Sequence, residues 1–283
     1  MSKICIYHGN CTDGFAAAWA VNQKYKEENI VFKEGLFGSV PPDVTGMDVI
    51  IVDFSYSRKE LSKLCRSAKS ILLMDHHLSS FNDLLGLDDE ISNLTLIFDM
   101  ERCGCQIAWD HYFPDVVPPK VFDNIADRDL LKYKLLNTRY VSAYAFSSEY
   151  SFQKWDWIMD EQNYDEVVTV GEILDNKVQK NVVGLANHAQ IKLYRDMPIV
   201  VANAPEFYAC DLARVLLDSH SKVAFAAIYY VNGSGKFKVS LRSCTKGINV
   251  EEVATRHGGG GHRNASGFIV DNLPWETVME EGS

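Results

Sequence analysis

Four short apolar runs constrain this chain more than any other feature. Residues 3–7 (KICIY), 47–52 (MDVIIV), 70–74 (SILLM) and 94–98 (LTLIF) are dominated by Ile, Leu, Val, Met and aromatic residues and show little apolar–polar alternation. A strand with one face in water alternates apolar and polar side chains, whereas a near-continuous run is buried on both faces. Helical patterns separate these runs or follow them, over residues 14–25, 58–67, 105–112 and 119–127. Buried strands alternating with helices predict an α/β fold with a mostly parallel sheet covered on both sides.

The pattern changes further along. Residues 138–189 read as helical with no strand signal and are expected to form a connector. From residue 190 onward a smaller α/β domain is expected. It has a strand near 198–201, a helix near 210–217 and a strand over 223–230. The turn Asn232-Gly233-Ser234-Gly235 followed by residues 237–242 predicts a hairpin. The expected organisation is therefore 1–137, 138–189 and 190–283.

In open parallel sheets, ligands bind beyond the carboxyl ends of the strands. The residues there are unusual. His8 and Asp13 lie in "HGNCTDG" after the first run, Asp53 in "VDFS" after the second, and Asp75, His76 and His77 in "MDHH" after the third. Asp127 lies at a helix end in "NIADRD", with Asp129 as the alternative. One Asp at a strand end is usually a cap or turn former. Four such ends carrying acids and imidazoles make a ligand set for Mn²⁺ or a similar divalent ion. A carboxylate shared by two such ions would hold them about 3.5–4 Å apart.

A second cluster lies near the C-terminus. Successive glycines, Gly258 to Gly261, let backbone N–H groups approach an anion closely. Gly259, Gly260 and Gly261 are the candidates for this nest, and His262 adds a side-chain donor. Arg242 can grip a phosphate bidentately, and Asn264 and Ser266 add polar reach. The bland alternative is a flexible hairpin loop, but Arg256, His257 and Arg263 flank the run in an otherwise acidic chain. Lysines and arginines number 28 against 38 acids, a net charge of −10. Proteins that track long duplexes carry large basic surfaces. A short or small anionic ligand is expected instead, with no long duplex partner. Tyr56, Phe207 and Tyr208 could stack bases, although ordinary packing is the stronger reading of each.

Seven cysteines without a framework predict free thiols and a reducing compartment. Residues 3–7 already read as a strand, so no signal peptide is expected, and no run approaches the roughly 18 apolar residues of a membrane span. The cytoplasm is the expected location, with no membrane partner.

These blocks, in this order, resemble the DHH phosphoesterase superfamily over most of residues 4–130. The segment "KVSLRSCTKGINVEEVATRHGGGGHRNASGF" resembles the DHH-associated substrate domain of its nanoRNase and exonuclease branch. The resemblance implies two Mn²⁺ ions bridged by Asp53. Asp13, His76 and Asp127 would complete one site, and His8 would belong to the other. His77 would face the substrate phosphate, and Asp75 would orient the histidine pair. Arg242, Gly259, Gly260, Gly261, His262 and Asn264 would hold the substrate in a cleft between the two domains. The family carries an aspartate where this chain has Cys11, which predicts a weakened or softer site around His8. The implied activity is metal-dependent hydrolysis of short oligonucleotides or small nucleotide phosphoesters. Two alternatives stay open: a phosphomonoesterase or pyrophosphatase, and a nucleotide-binding sensor with a weakened metal site.

Overall fold

The computed structural model describes residues 2–36 and 38–277. The chain divides into two compact units, 1–175 and 176–283. The first unit holds β1 (Lys3–His8), α1 (Thr12–Lys24), β2 (Ile30–Gly35), β3 (Asp48–Val52), α2 (Arg58–Ser67), β4 (Ser70–Asp75), α3 (Leu78–Leu84), α4 (Leu87–Glu90) and β5 (Leu94–Phe98). Then come α5 (Gly104–Tyr112), α6 (Lys120–Asp129), α7 (Thr138–Ser147), α8 (Phe152–Met159) and the start of α9 (Tyr164–Ala186).

Its five strands are all parallel, in the order β2-β1-β3-β4-β5. The apolar runs are continuous because alternate residues serve different cores. Cys5, Tyr7, Ile50, Val52 and Met74 face one core, with α1, α5 and α6. Ile4, Ile6, Val49, Ile51, Ile71 and Leu73 face the other, with α2, α3 and α4. A period of two with apolar residues at every position is what two-sided burial demands.

Two features depart from the sequence expectation. The first is β2, an edge strand that the apolar pattern does not mark. It carries Lys33 and Glu34, and most of its residues are only half-buried or exposed, so its apolar signal is weak. The second is that residues 138–175 do not form a separate connector. Val141, Tyr144, Ala145, Trp155, Ile158, Met159 and Val167 join the first unit's core, and the unit boundary falls inside α9. Close packing of α9 on α7 requires Gly171, where a Cβ would sit 2.0 Å from the carbonyl oxygen of Tyr140.

The second unit contains β6 (Gln190–Tyr194), β7 (Met197–Asn203), α10 (Ala209–Ser219), β8 (Ala226–Val231), β9 (Phe237–Arg242), α11 (Val250–Thr255), β10 (Gly260–His262), β11 (Ala265–Val270) and β12 (Glu276–Thr277). Its strand order is β10-β11-β9-β8-β7-β6-β12, with only the β7–β8 pair parallel among the described residues. The expected β8–β9 hairpin forms. Asn232 Oδ1 accepts from the N–H groups of Ser234 and Lys236, and Gly235 takes φ +78°. α10 covers one face of this sheet and α11 the other. Among the described residues no helix is long and apolar enough to cross a membrane.

Candidate metal centre and anion-binding strand

The carboxyl ends of β1, β3 and β4 bring His8, Asp53, Asp75, His76 and His77 to one edge of the parallel sheet. Asp53 follows the last residue of β3 and takes φ +54°, a left-handed conformation that Asp and Asn tolerate better than other side-chain-bearing residues. It is buried, and its two oxygens point to different imidazoles. Oδ2 lies 3.3 Å from His8 Nδ1 and Oδ1 lies 3.1 Å from His76 Nε2. Burial alone would raise its pKa, but the hydrogen bonds from His76 and His8 and the charge of His77 outweigh burial and hold it below the usual carboxylate range.

Asp13 sits in the first turn of α1, 1% exposed. It accepts from the Gly104 N–H at 2.6 Å and the Cys105 N–H at 2.9 Å, both in the first turn of α5. A helix N-terminus offers such unpaired donors and a favourable dipole to an anion. Even so, burial and the nearby Asp53 and Asp129 push Asp13 well above its ordinary pKa. The α5 approach depends on Gly104. A Cβ there would lie 2.5 Å from Asp53 Cβ. Gly14 plays a like role beside β1, where a Cβ would fall 2.4 Å from the His8 carbonyl oxygen.

His76 Nε2 is ringed by carboxylates: Asp53 at 3.1 Å, Asp129 at 3.3 Å and Asp13 at 3.8 Å. Burial opposes its protonation, but the Asp53 hydrogen bond and the three acidic charges lift its pKa to about 10. Asp75 is fully buried, and one of its oxygens accepts from the N–H groups of His76 and His77 and meets His77 Nδ1 at 2.7 Å. Burial again opposes protonation of His77, and its hydrogen bond to Asp75 overrides this, raising the pKa to about 9.

Asp127 is not part of this group. Its carboxylate accepts from the N–H groups of Lys134 and Leu135 and from the Thr138 hydroxyl, fixing the turn after α6. Asp129, two residues on at the end of α6, faces His76 instead. The preference for Asp127 comes with the motif resemblance; α6 ends two residues later than the sequence pattern suggests, at Asp129 itself.

Four overlapping groups of possible ligand atoms lie here, among them Asp53–Asp75–His76–His77 and Asp13–Cys103–Cys105, and two of them share Asp53 as a neighbour. Ligand atoms of Asp13, His76 and Asp129 lie within 4.8 Å of one another, as do those of His8, Cys11 and Asp53. Asp53 touches the imidazole of each set. Asp13 and Asp53 are buried and Asp129 is partly exposed, and their like charges repel in a low dielectric, a repulsion that a cation between them relieves. The oxygen-rich, imidazole-containing donor chemistry fits divalent ions.

In the second unit, Arg242, Ala265 and His262 occupy one register row across β9, β11 and β10. Paired residues project from the same face, so Arg242 and His262 flank the small Ala265, with backbones about 9–10 Å apart. Arg242 donates to the Leu241 carbonyl and to Cys210 Sγ of α10. The glycine run is more ordered than a loop. The N–H groups of Gly258 and Gly259 close the end of α11 on the Thr255 and Ala254 carbonyls, leaving Gly260 to His262 as the exposed edge strand. A Cβ at Gly259 would meet the Gly267 carbonyl at 2.0 Å, and Gly261 has φ +140°. Asn264 spends its amide donors on Ser243 Oγ and the Cys244 carbonyl, bracing the neighbouring turn.

Residues 208–281 match the DHHA1 domain family. The whole chain is 28% identical to an uncharacterised Acanthamoeba polyphaga mimivirus protein, covering 99% of this chain and 71% of that one. Over 65 residues it is 39% identical to the bifunctional oligoribonuclease and PAP phosphatase NrnA of Mycoplasma genitalium, a match spanning 23% of this chain and 20% of the relative. Among solved structures, the DHH domain of a member of a ribosomal-protein family superposes with TM-score 0.68 at 13% identity, covering 95% of this chain and 82% of that one. RecJ of Thermus thermophilus in complex with Mn²⁺ superposes with TM-score 0.52 at 14% identity, over 95% of this chain and 49% of that one. At these identities the two structural likenesses are likenesses of fold.

Proposed function

We propose that this chain, whose residues 208–281 match the DHHA1 domain family, is a member of the DHH phosphoesterase superfamily and a divalent-metal phosphodiesterase acting on short oligonucleotides or small nucleotide phosphoesters. The observation that carries the reading is the divided coordination of Asp53, one oxygen toward His8 and the other toward His76. His76, Asp13 and Asp129 would hold one ion with Asp53, and His8 with Asp53 would anchor the second. A bound ion pair supplies Lewis-acid activation of a phosphate ester and of water. The RecJ structure holds Mn²⁺ within a similar fold, which supports Mn²⁺ as the ion to try first.

The protein's own groups have separable tasks. Asp75 fixes His77 through Nδ1, which leaves Nε2 as a donor toward a phosphoryl oxygen when the ring is protonated. Arg242 and His262 form a cationic and polar pair across a small-residue floor, suited to a terminal or flanking phosphate. Gly259 and Gly261 keep β10 close to β11, and Asn264 holds the turn that carries Arg263 and His262 in place. The acidic balance of the chain favours ligands with few phosphates over long duplexes.

A phosphomonoesterase is the second reading, favoured by the Mycoplasma genitalium relative, whose name joins both activities. One assay separates the two. Metal-stripped protein is given Mn²⁺ and a panel of two- to five-nucleotide oligomers, cyclic dinucleotides, bis-phosphorylated adenosine, pyrophosphate and kilobase duplex. Cleavage of the short oligomers, absent with chelator and weak on duplex, is expected. Turnover confined to phosphomonoesters or pyrophosphate would reject the phosphodiesterase reading, and no turnover on any substrate would reject both.

Arg242→Ala and His262→Ala test the anion grip. Losing one hydrogen bond to a charged group costs about 1.5–3 kcal/mol, so KM should rise about 10- to 150-fold with kcat little changed. Loss of bound metal at unchanged KM would place both residues outside the grip.

A further inference from the structure

The donor set around His8 differs in kind from the set around His76. Asp13, Asp129 and Asp53 give the His76 set three carboxylates and one imidazole. The His8 set offers one imidazole, one carboxylate oxygen and the sulfur of Cys11, all within 4.8 Å. Cys11 occupies the N-cap of α1, a position that favours Ser, Thr, Asp or Asn, yet its side chain makes no capping hydrogen bond. Of the seven cysteines, it alone is partly exposed; four are buried and two are exposed.

Resting on the metal-centre reading above, we propose that Cys11 is a thiolate ligand. The two sites are then chemically unequal: a borderline-soft ion such as Zn²⁺ at His8–Cys11–Asp53 and a hard ion such as Mn²⁺ or Mg²⁺ at Asp13–His76–Asp129–Asp53. Thiolate and imidazole select Zn²⁺ and its neighbours, whereas carboxylates suit Mg²⁺ and Mn²⁺. Charge agrees with this division. With both sites filled, the Cys11 thiolate and the ionised Asp13, Asp53 and Asp129 would set four negative charges against two divalent cations. With a neutral sulfur, the His8 site would have only a shared carboxylate to neutralise its cation. Binding at that site therefore exchanges the thiol proton for the metal, and the sulfur–metal bond replaces the S–H bond with no change of oxidation state.

Another sulfur source lies close by. Cys103 and Cys105 have their sulfurs 3.4 Å apart beside Asp13, both fully buried. Any test must tell these from Cys11.

Co²⁺ is the probe, because cobalt bound to thiolate shows a sulfur-to-metal charge-transfer band in the near ultraviolet that oxygen and nitrogen ligands do not produce. Metal-free full-length protein is titrated with Co²⁺, bound cobalt is measured by elemental analysis, and spectra are recorded. The wild type should develop the band. Cys11→Ser and Cys11→Asp should bind Co²⁺ without it, and Cys103→Ser should keep it. Zn²⁺ added to the cobalt form should erase the band while displacing about half of the cobalt. Cys11→Asp should also take up Mn²⁺ at the His8 site at least about tenfold more tightly than wild type. Serine is a favourable N-cap residue, so Cys11→Ser should keep its circular dichroism spectrum. Bound cobalt without a band in the wild type overturns the proposal, as does a band that persists in Cys11→Ser. Failure of the wild type to bind cobalt at all overturns the metal centre itself, and the thiolate ligand with it.

Discussion

Asp53→Asn is expected to fold normally and to lose hydrolysis by about three orders of magnitude or more. The substitution is nearly isosteric, and Asn accepts the φ of +54° at this position as readily as Asp does. What changes is charge. One amide replaces a carboxylate whose two oxygens face His8 and His76, so both donor sets lose their common anion at once. Lewis-acid stabilisation is worth several kcal/mol, and each 1.36 kcal/mol is a tenfold change in rate, which gives a loss of about 10³-fold or greater. Turnover, metal content and circular dichroism measured on one preparation check this. Near-normal turnover in a folded variant with unchanged metal demand would reject the shared carboxylate.

The second large effect separates two acids that stand two residues apart. Asp129→Asn should cut turnover about 100-fold or more and release one ion, because it removes a carboxylate 3.3 Å from His76 Nε2. Asp127→Asn should do something different. Its carboxylate takes three hydrogen bonds, from the Lys134 and Leu135 N–H groups and the Thr138 hydroxyl. An amide nitrogen cannot accept, so at least one of these donors, a partly buried N–H, loses its acceptor, at a cost of about 0.5–1.5 kcal/mol. The melting temperature should fall while metal content per folded molecule stays the same. The reverse pattern, stable but inactive Asp127→Asn beside active Asp129→Asn, would return Asp127 to the metal set.

The confusion between these acids shows where sequence reading stops. The central strands are legible because two-sided burial leaves no alternative pattern, and the acids and imidazoles that follow them inherit positions from the sheet. Asp127 and Asp129 sit instead at a helix end. Their roles depend on where the helix stops and on backbone donors seven or eight residues downstream, which carry no side-chain signature. β2 is illegible for the opposite reason, since an edge strand with Lys33 and Glu34 needs little apolar patterning. The unit boundary is hidden because apolar helix faces look alike whichever sheet they cover. Val167 and Val182, on one helix, serve different cores.

Gly104 carries no proton, lone pair or charge on a side chain, yet it sets the distance between the first turn of α5 and two acids of the centre. Space is what this position supplies. Any methyl there would have to displace Asp53, whose Cβ is 2.5 Å from where it would stand. Sequence drift along α5 is therefore bounded in an uneven way. Its outer face can change freely, whereas residue 104 is restricted to the one amino acid without volume to spend. Comparing candidate relatives only by their acids and imidazoles would accept chains in which this gap is filled. Such chains would keep every ligand and still hold them in a different shape.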